Sequence, residues 1–201
     1  LNLSTAYLNL GIIYYEMRNY SSALENLEKS ARLKLNNNLS ETELTFLNLA
    51  KTYAQTGNLD KAEEYFKRSL TIINSKFGGN YYRMADVCYE YGLFLRSEGR
   101  NTEALKAHRK ALTICLKNFG EKHSLVALSW KYLGDDYQAQ ADYTRALESY
   151  QKSLIAIVND FNNPDIFSNP QIDSSLFDIR LLDNLKSKSR ALELFANKQN
   201  D

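Results

Sequence analysis

The 201 residues carry 25 Lys and Arg against 24 Asp and Glu, with eight Gly, two Pro and two Cys. So few Gly and Pro cannot punctuate a many-stranded β fold, and a hydrophobic content of 44% argues against disorder. A net charge of +1 gives no drive toward nucleic acid or anionic membrane, no apolar run nears the roughly 20 residues of a membrane span, and two Cys form no disulfide framework but suit a reducing, cytoplasmic setting.

Taken in chain order, the residues fall into similar units. Ala6-Tyr-Leu-Asn-Leu-Gly-Ile-Ile-Tyr14 opens the first, and the stretches Thr45 to Tyr53, Val87 to Leu95 and Ser129 to Tyr137 repeat its pattern. Gly11, Ala50, Gly92 and Gly134 mark the register, at separations of 39, 42 and 42. Twelve residues after each comes Ala23, Ala62, Ala104 or Ala146. Leu27, Phe66, His108 and Tyr150 follow four further on, then Ser30, Ser69, Ala111 and Ser153. Fixed offsets that return four times identify an internal repeat.

Each unit predicts two helices, because apolar residues recur at helical spacing in both halves, as in Ala62, Tyr65, Phe66, Ser69, Leu70 and Ile73. The units span about 3–36, 40–78, 80–120 and 122–161. Turn residues separate the halves: Gly57 and Gly99 suit a left-handed helix end, and Asn19 and Asp142 are expected to take that role in the outer units. Asp60 with Glu63, and Ser40 with Glu43, have capping-box spacing. Small residues at the register positions let paired helices approach closely, and a lone pair cannot bury so much apolar surface. Stacked pairs can, so an all-α, right-handed superhelical solenoid of helical hairpins is expected. Residues 161–175 predict a loop, with Asn163-Pro164-Asp165 and Asn169-Pro170-Gln171. One long helix follows from Ser174 to about Lys198, apolar at Leu182, Leu185 and Leu192 and at Phe177, Leu181 and Phe195. Leu1 already lies inside an apolar-periodic segment with no leader before it, so a piece of a longer protein is expected.

The spaced aromatic, Leu, Gly and Tyr of the first halves, and the Ala, aromatic and Ala/Ser of the second, resemble the tetratricopeptide repeat. The best copies run from Phe46 to Ser69 and from Trp130 to Ser153. The proline that usually ends the second helix is missing in all four units. The 42-residue spacing and the Phe119-Gly-Glu-Lys-His123 element are similar to the kinesin-light-chain subclass. Phe77, Phe119 and Phe161 are 42 residues apart and are read as plugs, each capping its own hairpin. The segment Leu181 to Leu194 is similar to a junction helix in bacterial arrays that precede a CHAT domain, a caspase-like protease.

The resemblance implies that first helices line a concave groove. By register its lining is Asn9, Ile12 and Glu16; Asn48, Lys51 and Gln55; Asp86, Glu90 and Leu93; and Leu128, Tyr132 and Asp135. Thr5, Leu44, Ser97 and Ala139 complete the set. Asn9 and Asn48 share one register, where amides commonly hold the backbone of an extended peptide. Relatives that grip a peptide carboxylate carry Lys and Arg where this chain has Asp86 and Glu90, which would repel it. The expected ligand is therefore a protein segment of mixed apolar and basic character, or another domain of the same chain. A monomer is expected, with any self-association running through the last helix.

Catalytic and metal constellations are weak. Cys88 and His108 lie at positions expected to face each other and could form a thiolate–imidazole pair, but both sit on the stripe where other units carry aromatic or aliphatic core residues. His108, His123 and Cys115 lack metal-ligand spacing, and His123 reads as a helix-start residue. Gly78-Gly79 lacks the Lys-Ser/Thr of a phosphate loop. Glu63-Glu64 and Asp135-Asp136 read as solvated helix faces. Lys106, Arg109, Lys110 and Lys117 make a basic second helix, read as a solubility face rather than a nucleic-acid site. The expected function is a non-catalytic interaction scaffold without cofactor or metal. The alternative is the regulatory region of a CHAT-type protease.

Overall fold

A computed structural model describes residues 3–37, 39–171 and 179–200. The chain divides into two compact units, residues 1–91 and 92–201. The first holds α1 (Leu3–Glu16), α2 (Tyr20–Asn36), α3 (Thr42–Gln55), α4 (Leu59–Phe77) and the start of α5 (Arg83–Ser97). The second holds the rest of α5, then α6 (Asn101–Phe119), α7 (Ser124–Ala139), α8 (Tyr143–Ile157) and α9 (Ile179–Asn200). Among the described residues there is no β-strand.

One turn serves every hairpin. The first helix ends on a residue with positive φ: Arg18 at 59°, Gly57 at 75°, Gly99 at 73° and Ala141 at 56°. The next residue donates its N–H five residues back, from Asn19 to Tyr14, Asn58 to Tyr53, Arg100 to Leu95 and Asp142 to Tyr137, at 2.9–3.0 Å. This is the Schellman ending, which satisfies carbonyls left over at a helix C-terminus. The same residue then starts the second helix. The side chains of Asn19, Asn58 and Asp142 accept from the N–H of Ser22, Lys61 and Arg145. The left-handed position therefore falls one residue before Asn19 and Asp142, on Arg18 and Ala141. The cap of α4 is Asn58 rather than Asp60. The Ser40–Glu43 box does not form either, because Glu41 starts α3 in the left-handed region without a side-chain cap bond.

A non-glycine residue in that region costs about 1–2 kcal/mol, and glycine returns about 0.5–1 kcal/mol of that through its unfolded-state freedom. Ala141→Gly is therefore expected to raise stability by about 0.5–1 kcal/mol in denaturant titration, while Gly99→Ala lowers it.

The register residues form the core. Ala23, Ala62, Ala104 and Ala146 are fully buried, as are Leu27, His108 and Tyr150. An added Cβ on Gly11 would sit 2.5 Å from Leu27 Cγ, so that helix pair is in contact through glycine. The serine register joins the two helices of a hairpin. Ser30 Oγ donates to the Ser4 carbonyl at 2.7 Å, Ser69 to Glu43 at 2.8 Å and Ser153 to Ala127 at 2.7 Å. Unit three carries a buried Ala111 there instead.

The three plug phenylalanines behave differently. Phe77 is half exposed and stacks on Tyr81 of the following loop, and Phe119 stacks on His123. Phe161 packs against an apolar cluster, that of Leu154, Val158 and Leu181. A rigid aromatic ring at a helix end uses the nearest flat neighbour, and the loop supplies one in two of three cases. His123 does start α7, its Nδ1 accepting from the Leu125 N–H at 3.1 Å. Its neighbour Lys122 reaches the far end of α8. The ammonium donates to the carbonyls of Ile155, Val158, Asn159 and Phe161 at 2.8–3.1 Å.

The last helix buries Leu181, Asn184, Lys188 and Ala191, while Leu192 and Phe195 pack beside Tyr150. Leu182, expected on the apolar face, is exposed because it lies about 100° from that line. Phe177 lies outside the described residues. Lys188 Nζ donates to Gln151 Oε1 at 2.5 Å, the Ser168 carbonyl at 2.6 Å and Asn169 Oδ1 at 2.9 Å. Burial outweighs the attraction of Asp165 and lowers its pKa to about 8. The unfolded chain then binds the extra proton above that value, so stability rises with pH between about 8 and 10. Beyond pH 10 the trend reverses, since burial raises the phenols of Tyr53 and Tyr150 and only the unfolded chain ionises them. Urea midpoints across this window should climb more steeply in the native protein than in Lys188→Gln.

Candidate functional site

The residues expected to bind lie on the first helices α1, α3, α5 and α7. In the first unit, Asn9 and Glu16 are exposed and Ile12 is half-buried on α1. On α3, Asn48 donates its Nδ2 to the Leu44 carbonyl at 2.8 Å, which commits one of its two amide hydrogens to its own helix. Lys51 Nζ lies 3.0 Å from Glu90 Oε1 and 5.2 Å from the centre of the Tyr15 ring. Burial works against the Lys51 charge, but Glu90 outweighs it and raises the pKa. Gln55 is exposed at the end of α3. Burial raises the Asp86 carboxyl, with Arg83 opposing and Glu90 adding to the shift.

In the second unit, Leu93 and Leu128 are half-buried. Asp135 meets Lys131 at 3.0 Å and Arg96 at 3.7 Å, and accepts the Tyr150 hydroxyl at 2.9 Å. Lys131 also reaches Asp183 of α9 at 3.0 Å. Burial opposes the Lys131 charge, and the two carboxylates outweigh it, so its pKa is raised. Leu128 and Lys131 line a cleft of about 330 Å³ between α7, α8 and α9, closed by Ile157, Ile179, Leu182 and Lys186. Tyr132 stacks on His108, with ring centres 5.2 Å apart.

The structure thus joins Lys51 with Glu90, and Leu128 with Lys131. Two of the acids expected to colour the face, Glu90 and Asp135, are balanced by nearby cations, so less negative charge is left than a count of residues suggests. The reading of Asp135-Asp136 as a solvated pair is corrected. Asp136 is buried, with Oδ2 2.5 Å from His108 Nδ1 and Oδ1 3.1 Å from Arg96 Nη1. The aspartate sits on the inner side of α7 because it is one residue, or about 100°, past the face Asp135 occupies. Only its spacing of 28 from a lone core histidine could have announced the pair. His108 is held by Asp136 and Tyr132, and its Nε2 lies where a Gly92 side chain would begin, at 2.3 Å. That sandwich makes it a packing element. Among the described residues, no three His, Cys, Asp or Glu side chains gather as metal ligands. No described helix is long and apolar enough to cross a membrane.

Family models of the tetratricopeptide repeat match residues 3–34, 45–76 and 83–154. The solved structure of the kinesin light chain nearly identical TPR-like repeats of Podosopora anserina is similar over 98% of this chain and 88% of its own, at 17% identity and a TM-score of 0.76. BtubC (BKLC) of P. vanneervenii is similar over 96% and 79%, at 18% identity and a TM-score of 0.67. Pseudomonas aeruginosa pilF is similar over 97% and 76%, at 20% identity and a TM-score of 0.63. At these identities the likeness establishes the fold class, an all-α helical-repeat solenoid. No curated protein sequence matches the chain.

Proposed function

Because the chain belongs to the tetratricopeptide repeat family, we propose that it is a non-catalytic scaffold that holds a protein or peptide segment against the outward faces of its first helices. The observation that carries this reading is the division of labour within each first helix. One face is spent on small-residue packing, and another leaves Asn9, Ile12, Lys51, Glu90, Leu128 and Tyr132 at least partly accessible. Rigid helices holding such side chains pay little ordering cost on binding.

The favoured segment is mixed apolar and basic. Half-buried Ile12, Leu93 and Leu128 offer apolar contact. An incoming Lys or Arg can share Glu90 with Lys51 or approach the exposed Asp86. Cys88 and Cys115 are buried and not joined in a disulfide, which suits a reducing compartment such as the cytoplasm.

Affinity capture with the protein and with an Asp86→Lys, Glu90→Lys version tests this. Partners retained by the first and lost by the second support it, provided both melt alike. Glu90→Ala should shift stability by no more than about 1 kcal/mol, since its ion pair is partly exposed. Equal capture by all three proteins would remove the face from consideration.

A further inference from the structure

Two grooves of one register differ in charge. Each has two second helices as walls and aromatic side chains of a first helix in its floor. In the first unit the groove lies between α2 and α4 over Phe46, with a volume of about 300 Å³. In the second it lies between α6 and α8 over Trp130, Leu133 and Tyr137, with about 400 Å³. Cations approach the rings alike. Arg68 lies 4.3 Å from the centre of Phe46 and Lys152 4.6 Å from that of Trp130, while Lys61 and Arg145 lie 4.8 and 5.8 Å from Tyr53 and Tyr137. The difference falls seventeen residues after Gly11 and Gly92, where the chain has Glu28 and Arg109. Glu28 accepts the Tyr53 hydroxyl at 2.5 Å, whereas Arg109 Nη2 donates to the Tyr137 hydroxyl at 2.7 Å. Tyr137 therefore keeps its own hydroxyl hydrogen for an acceptor. Three exposed cations, Arg109, Arg145 and Lys152, line this groove against one acid, Glu148. In the first unit Arg32 and Arg68 stand against Glu28, and Arg68 is paired with Glu64 at 3.2 Å.

We propose that the groove between α6 and α8 is a second docking site, which takes an acidic segment of a partner protein. An apolar or aromatic side chain of that segment sits against the half-buried Trp130 and Tyr137, and its flanking carboxylates meet Arg109, Arg145 and Lys152. Two guanidinium groups 5.8 Å from one ring centre form a ready clamp, since a planar fork of N–H donors matches a carboxylate. Their contact with the ring holds them near that position before the partner arrives. A nucleic-acid strand suits the groove less well. Glu148 lines it, and Asp142 lies 3.4 Å from Arg145, so a continuous run of phosphates would meet both acids. Separate carboxylates can be spaced around them. This site uses second-helix cations and calls for a partner charge opposite to that favoured by Asp86 and Glu90.

Trp130 is the only tryptophan in the chain, so its emission reports on the groove. Titration with the peptide Glu-Glu-Phe-Glu-Glu should change that emission to saturation, and binding should weaken as salt is added. Arg109→Glu with Arg145→Glu should weaken it about tenfold at unchanged helicity, because both side chains are exposed. Lys152→Glu, also at an exposed position, gives a second and independent loss. Emission that stays constant up to about 1 mM peptide overturns the proposal. So does equal affinity in the folded charge-reversed variants, or equal affinity for Glu-Glu-Gly-Glu-Glu, which would make the groove a counterion site. Tighter binding of a single-stranded oligonucleotide of the same charge overturns it as well.

Discussion

Gly134→Ala is expected to destabilise the second unit by about 1–3 kcal/mol, and Gly134→Leu to unfold its last hairpin. A Cβ at this position would lie 2.5 Å from Tyr150 Cε1, 2.7 Å from Cδ1 and 2.9 Å from Cζ. The ring has nowhere to go. Tyr150 is wholly buried, and its hydroxyl is tied to Asp135 Oδ1 at 2.9 Å and Gln138 Oε1 at 3.2 Å. Yielding would cost either those bonds or the spacing of α7 and α8. The corresponding change at Gly11 should be milder, since the obstacle there is the flexible end of Leu27. Unit two shows the tolerated alternative, an alanine at 50 in the same register as Gly134. Thermal melts of the two variants side by side would separate rigid from yielding neighbours. Equal losses would mean that helix spacing, not the ring, sets the penalty.

Asp136→Ala should cost about 3–5 kcal/mol, because it strands a buried imidazole and removes one of the anions facing Arg96. The second step of the experiment is more telling. By register the equivalent of this pair, a second helix against the next first helix, is Leu27 with Thr52. Replacing both members together, as His108→Leu with Asp136→Ile, should recover most of the loss, since a well-packed apolar pair avoids the desolvation of two polar groups. Arg96 keeps Asp135 within 3.7 Å in that variant. A double variant no more stable than Asp136→Ala would mean that the polar pair does more than fill space.

The helical hairpins were legible because their signals are periodic. A glycine or alanine every 39 or 42 residues can be seen without coordinates, and so can the alanine and serine registers that follow it. What escaped were pairings set by one step of helical rotation. Asp135 and Asp136 look equivalent in sequence, yet one faces outward and the other meets His108. The left-handed turn residue was misplaced by one position in units one and four, where Arg18 and Ala141 replace the glycine that betrays it elsewhere. Lys188 and Asn184 were invisible for a related reason. A polar residue on a helix is ordinarily solvated, and nothing near in sequence marks Ser168 and Asn169 as the groups that receive the lysine. Register placed the expected binding residues on first-helix faces, but charge balance there depended on Lys51, Lys131 and Arg96, each paired across helices.

The reach of Lys122 to four carbonyls ties together two places that the chain keeps more than thirty residues apart. The last turn of α8 and the entry to α7 thus share one exposed ammonium, so loosening that turn also releases the lysine beside the start of α7.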